Sequence, residues 1–169
     1  MTTSTLPLIW EPLPTYLTPL GLRLLAELKS WEGTPHMPGQ KCKGAGVDCV
    51  RFVIAVLESW TGSPPTRDVQ VPQDASMHSP KTAFNALRFF LESWPNHVDA
   101  SRSGRAQPGD ILVVGPVKGG PGHAIIVGPE PNTLWQASSC GVYRGGWILE
   151  RPMTRVFRAY RGSNREVWL

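Results

Sequence analysis

Two residues of this sequence have the types and settings of a nucleophile and its base. Cys49 lies in the stretch Gly46-Val47-Asp48-Cys49-Val50-Arg51-Phe52-Val53, where a glycine-rich loop gives way to an apolar-periodic helix. A helix N-terminus carries partial positive charge, which favours thiolate over thiol and predicts a lowered pKa for Cys49. His123 opens the β-branched run His123-Ala124-Ile125-Ile126-Val127, directly after Pro121-Gly122. A neutral imidazole within hydrogen-bond reach of the thiol would complete its activation.

The other chemistry-bearing residues have plainer readings. Cys42 and Cys140 read as a loop thiol and a thiol following a strand. Three cysteines are an odd number without a disulfide framework, and reduced thiols suit a protein made in the cytoplasm. A zinc site from Cys42, Cys49, His36 and His123 lacks the Cys-x-x-Cys spacing of such sites, so neither a metal nor any other cofactor is expected. His36, His78 and His97 sit in polar or proline-rich loops. Asp110 reads as the cap of a turn rather than as an acid.

The elements that must position Cys49 and His123 follow from periodicity. Residues 1–17, rich in Thr, Pro and Leu, read as an extended arm. Thr18-Pro19 reads as an N-cap followed by proline at the first helical position, and Leu20, Leu24, Leu25 and Leu28 form the stripe of a helix ending near Trp31. Residues 33–46 read as loop. A second helix is predicted from Asp48 to Trp60, stopped at Gly62, with Val53, Val56, Leu57 and Trp60 on a single buried face. A third is predicted from Ser79 and Pro80 to Trp94. From residue 108 the period switches to strands: Asp110–Val114, His123–Val127, Thr133–Ala137, Trp147–Glu150 and Arg155–Tyr160. Helices first and an antiparallel sheet of about five strands after make an α+β pattern. No linker splits the chain, so the domain is expected over residues 18–161, followed by a tail at 162–169.

Bulk properties narrow the function classes. With 169 residues, 41% hydrophobic and 18% charged, the chain can bury a sizeable core. A net charge of +4 suits polyanionic neighbours such as cell-wall polymer. The densest basic run, Arg151, Arg155, Arg158, Arg161 and Arg165, has the spacing of the solvated face of a strand and tail. No nucleic-acid-binding motif is present, so nucleic acid is not expected as a partner. No apolar run reaches the ~20 residues of a membrane span, and residues 1–10 lack the charged and apolar regions of a secretory signal.

The ordered set Trp31-Glu32-Gly33-Thr34-Pro35, Gly46-Val47-Asp48-Cys49, Gln107-Pro108-Gly109-Asp110-Ile111-Leu112 and Gly122-His123-Ala124-Ile125-Ile126-Val127-Gly128 resembles the NlpC-type cell-wall cysteine peptidases. It looks most like their phage and gene-transfer-agent members, over about residues 19–140. The resemblance implies a papain-like fold, with N-terminal helices packed on the sheet. It also implies Cys49 as nucleophile and His123 as base, with Gln136, in Leu134-Trp135-Gln136-Ala137, as the polar residue orienting the imidazole. Asp48 matches the acidic residue that helps bind the free amine of the substrate's peptide stem.

Two departures bear on substrate binding. A small pair usual after the cysteine is replaced by Val50-Arg51, and Arg51 either disturbs the cleft, contacts an acidic substrate or points to solvent. An aromatic hydroxyl usual after Gly-Thr-Pro is replaced by His36. The implied reaction is hydrolysis of an amide bond in peptidoglycan stem peptides by acyl transfer, with backbone N–H groups at the helix start stabilising the oxyanion. The implied setting is a virion tail tip acting on the host cell wall, with tail-hub or tail-tip proteins as partners. A structural tail component with vestigial activity, and an amidase toxin delivered to competing bacteria, are the rival readings.

Overall fold

A computed structural model describes residues 9–10, 18–62, 97–99, 105–114, 123–146 and 153–159 of the chain. The expected third helix and the expected strand Trp147–Glu150 lie outside these residues, as do the C-terminal tail and all of the arm but Ile9–Trp10. That dipeptide is strand β1, paired parallel with β5 (Arg105–Ala106).

Helix α1 spans Pro19–Trp31 and begins as its sequence requires. The Thr18 side chain accepts the Gly21 N–H at 3.1 Å, satisfying one of the orphan donors of the first turn, and proline opens the helix. Leu24, Leu28 and Trp31 are buried against α2 (Cys49–Thr61). Helix α2 starts at an Asp48 N-cap and stops at Gly62, whose φ of 65° places it in the left-handed region. Its burial departs from the single face predicted. Every residue from Cys49 to Leu57 is buried, together with Trp60 and Thr61. The cause is position: α2 packs against α1 on one side and against the sheet on the other, so it has almost no solvent face.

The loop expected over residues 33–46 contains a short hairpin, β2 (Lys41–Cys42) paired with β3 (Gly46–Val47). Lys43 fastens it to α1, donating to Glu27 Oε1 at 3.1 Å and lying 5.1 Å over the Trp31 ring. Lys41 fastens it to α2 through Glu58 at 2.8 Å.

Among the described residues the main sheet has six strands in the order β4-β10-β6-β7-β8-β9, all pairs antiparallel. They are β4 (His97–Asp99), β6 (Ile111–Val114), β7 (His123–Val127), β8 (Thr133–Ser138), β9 (Gly141–Gly146) and β10 (Met153–Ala159). His97, read as a loop residue, opens β4. Strand β9 went unrecognised because its glycines suppress strand propensity, whereas its ladder with β8 runs over six residue pairs. Alternation gives the sheet two buried faces. Ile111, Val113, Ala124, Ile126, Trp135 and Ala137 pack with the helices, and Leu112, Val114, Ile125, Val127, Leu134 and Val156 form a second cluster.

The Pro108-Gly109 turn locks the sheet to α2. Gly109, at φ 84°, donates to the Val127 carbonyl at 2.8 Å, and a Cβ there would stand 2.3 Å from the Trp60 ring. Asp110 caps this turn as expected, accepting the Gln107 N–H at 2.8 Å. Arg158 of β10 corrects the reading of the C-terminal arginines as a solvated face. It is turned onto Asp110, donating Nε to Oδ1 at 2.8 Å and a second guanidinium nitrogen to Oδ2 at 2.9 Å.

Candidate functional site

The start of α2 meets the start of β7. Cys49, the first residue of α2, is 2% exposed, and its thiol receives hydrogen bonds from the backbone N–H groups of Ala124, Val50 and Cys49 itself. The Ala124 contact sets the sulfur against the peptide that joins His123 to Ala124.

The lowered pKa predicted for Cys49 is overturned. Burial pushes the thiol up to about 12, and the neighbouring Asp48 carboxylate pushes the same way, against the three backbone hydrogen bonds. The helix terminus favours a thiolate, but exclusion of water outweighs it. Without substrate, Cys49 is therefore a neutral thiol.

His123 Nε2 lies 2.8 Å from Gln136 Oε1. Continuing the β7–β8 register from Ile126↔Trp135 sets Gln136 opposite Ile125, which makes His123 and Gln136 diagonal neighbours on one face of the sheet. The Gln136 oxygen is an acceptor, so the contact makes Nε2 the protonated nitrogen and Nδ1 the basic one. Backbone pairing thus brings together His123 and Gln136, 13 positions apart in the sequence, and Cys49 meets β7 through the Ala124 N–H.

Asp48 and Arg51 face each other. Asp48 is 1% and Arg51 7% exposed. Asp48 Oδ1 accepts the Arg51 backbone N–H at 2.8 Å, capping α2, and Oδ2 accepts the guanidinium at 2.6 Å and the Gly39 N–H at 2.9 Å. The solvent-pointing alternative for Arg51 is thereby corrected. Asp48 also has almost no surface to offer the amine expected of it, since its carboxylate is engaged from three sides. The i, i+3 spacing of an N-cap aspartate and an arginine is the sequence signal that would have revealed the pair.

His36 lies in a strap that crosses from the sheet edge to the helix start. The Gly33 N–H bonds the Val142 carbonyl at 2.8 Å and the Val142 N–H bonds the Thr34 carbonyl at 2.9 Å. At the other end the Val47 N–H bonds the Pro35 carbonyl and the Met37 N–H bonds the Val47 carbonyl, each at 3.0 Å. His36 forms a bridge with Val47, two residues before Cys49, and its Nε2 is buried with no hydrogen-bond partner among the described residues.

Cys42 and Cys140 are exposed and unbridged. Among the described residues no three His, Cys, Asp or Glu side chains gather as a metal site, and no helix is long and apolar enough to cross a membrane.

Neither the models of known protein families nor the curated proteins contain a match to this sequence. Among solved structures, the chain is similar to the NlpC/p60 domain of the peptidoglycan hydrolase SagA, at 24% identity and a TM-score of 0.48, over 80% of this chain and 96% of that one.

Proposed function

We propose that the chain is an NlpC-type cysteine peptidase that hydrolyses amide bonds in the stem peptides of peptidoglycan. The observation that carries this reading is the oriented imidazole: His123 held by Gln136 at 2.8 Å, at the start of β7, where the Ala124 N–H donates to the Cys49 sulfur. The sequence resemblance supplies the substrate class and the setting, a phage or phage-like tail tip engaging tail-hub proteins.

The neutral resting thiol shapes the mechanism. His123 Nδ1 takes the Cys49 proton as sulfur bonds to the scissile carbonyl carbon, rather than before it. Backbone N–H groups at the start of α2 stabilise the oxyanion. The C–N bond then breaks, His123 protonates the leaving amine, and the acyl group stays on sulfur. His123 next takes a proton from water, whose oxygen attacks the thioester and releases the acid, and the proton returns to Cys49. Gln136 is a positioning residue in this scheme. His36, with its orphaned Nε2 beside the helix start, is the candidate for a polar contact with substrate. Asp48 and Arg51 act on the nucleophile's surroundings instead of on the substrate.

The test incubates the purified protein and its Cys49→Ala variant with Gram-negative peptidoglycan and resolves the released muropeptides by mass spectrometry. Release that disappears in the variant supports the peptidase and identifies its bond. The burial of Cys49 favours one second reading, a structural tail component whose site is vestigial. Absence of release by the wild type, with Cys49 inert to alkylation even at pH 10, would select that reading.

A further inference from the structure

A carboxylate beside a nucleophilic sulfur opposes catalysis, because the sulfur must gain negative charge where a negative charge already stands. Asp48 is such a group. It directly precedes Cys49, is 1% exposed, and is fixed there by its role as the cap of α2. Its partner Arg51 is buried too, and their 2.6 Å contact is stronger at this depth than at a surface.

A helix cap does not need this arrangement. Serine, threonine or asparagine caps as well as aspartate and introduces no charge to be neutralised. Nor does an apolar helix interior call for a buried arginine. The two charged residues are explained together: aspartate accepts three donors at a crowded junction, where the Gly39 loop, the helix start and the Arg51 side chain converge, and arginine cancels the charge this introduces.

We propose that Arg51 is a positioning residue for the Cys49 thiol: its guanidinium neutralises the capping Asp48 carboxylate, so that the sulfur can become anionic next to it. The inference rests on Cys49 being the nucleophile proposed above. The described titratable groups on the elements that meet at the thiol are Asp48 and Arg51 on its own helix start, His123 on β7, and His36 on the strap bridged to β3. Gln136 on β8 is neutral.

The test is the alkylation rate of Cys49 by iodoacetamide at fixed pH, followed by peptide mass spectrometry on the full chain. Arg51→Gln, which takes the guanidinium away from Asp48, is expected to slow Cys49 about tenfold, and Asp48→Asn, which removes the carboxylate beside the sulfur, to accelerate it about tenfold. The double variant Asp48→Asn/Arg51→Gln returns to within about threefold of the wild type, because charge is removed in a balanced way. A purely structural pair predicts something different: both single variants open the same helix start and move the rate in the same direction. That result, or no change in either, would overturn the proposal.

If Arg51→Gln fails to fold, Asp48→Asn and the double variant still decide. The proposal stands if the first is faster than the second and falls if their rates are equal. Muropeptide release is followed in parallel with the wild type. Opposite alkylation shifts without wild-type release would sink the peptidase reading and leave this inference standing. Release together with same-direction shifts would do the reverse.

Discussion

The side chains of His123 and Gln136 meet at 2.8 Å across two antiparallel strands, one residue at the first position of β7 and the other four residues into β8. The contact involves Nε2 and so fixes which imidazole nitrogen can act as base. An amide does this without adding charge, so Gln136 orients the imidazole but does not itself favour the imidazolium. Gln136→Ala is expected to lower kcat by about ten- to a hundredfold with a smaller change in KM, since only orientation and tautomer are lost. Gln136→Glu should retain more activity and move the acidic limb of the pH–rate profile, set by protonation of the base His123, to higher pH, because a nearby carboxylate favours the imidazolium. A pH–rate profile of the three proteins checks both statements.

The burial of Cys49 sets an order of thiol reactivity. At pH 8, iodoacetamide is expected to label exposed Cys42 and Cys140 well before Cys49. With its pKa raised to about 12, the Cys49 rate should keep rising about tenfold per pH unit from pH 7 to 10, without a plateau. A plateau below pH 9 would reveal a preformed thiolate–imidazolium pair and contradict the neutral resting state.

The Asp110–Arg158 pair joins the turn before β6 to β10. Burial holds the Asp110 carboxyl above the usual carboxylate range even though Arg158 pulls it down. Because its folded pKa exceeds its unfolded one, ionisation of Asp110 costs stability as pH rises above ~4. Arg158→Met strands that charge, with an expected loss of about 3–5 kcal/mol at pH 7. The deficit should shrink as pH falls toward 4, because the buried carboxyl takes up a proton and the stranded charge disappears. Urea unfolding at the two pH values measures this, and a deficit independent of pH would rule out the charge as its cause.

Two glycines separate backbone strain from crowding. Gly33, at φ 76°, has open space where a Cβ would go, so Gly33→Ala should cost only the left-handed strain, about 1 kcal/mol. Gly109, at φ 84°, would drive a Cβ to 2.3 Å from the Trp60 ring. Gly109→Ala should cost about 2–4 kcal/mol, strain and overpacking together. Adding Trp60→Leu should relieve the crowding part in Gly109→Ala, and thermal unfolding of the variants gives the comparison.

The sequence by itself determined the elements that carry the site. Thr18-Pro19 and Asp48 start α1 and α2 and Gly62 ends α2, since capping is decided within a few residues by orphan N–H and C=O groups. The β-branched run from His123 to Val127 likewise forms a strand of the same limits. What only the tertiary structure decided is what surrounds those elements. The two-sided burial of α2, the turn of Arg158 onto Asp110 and the pairing of glycine-rich β9 all come from partners distant in the chain, to which a local pattern is blind. The protonation of Cys49 belongs to the same group. A helix start is a local feature and argues for a thiolate, but desolvation depends on everything packed around the sulfur. In this fold the packing prevails, and the thiol keeps its proton.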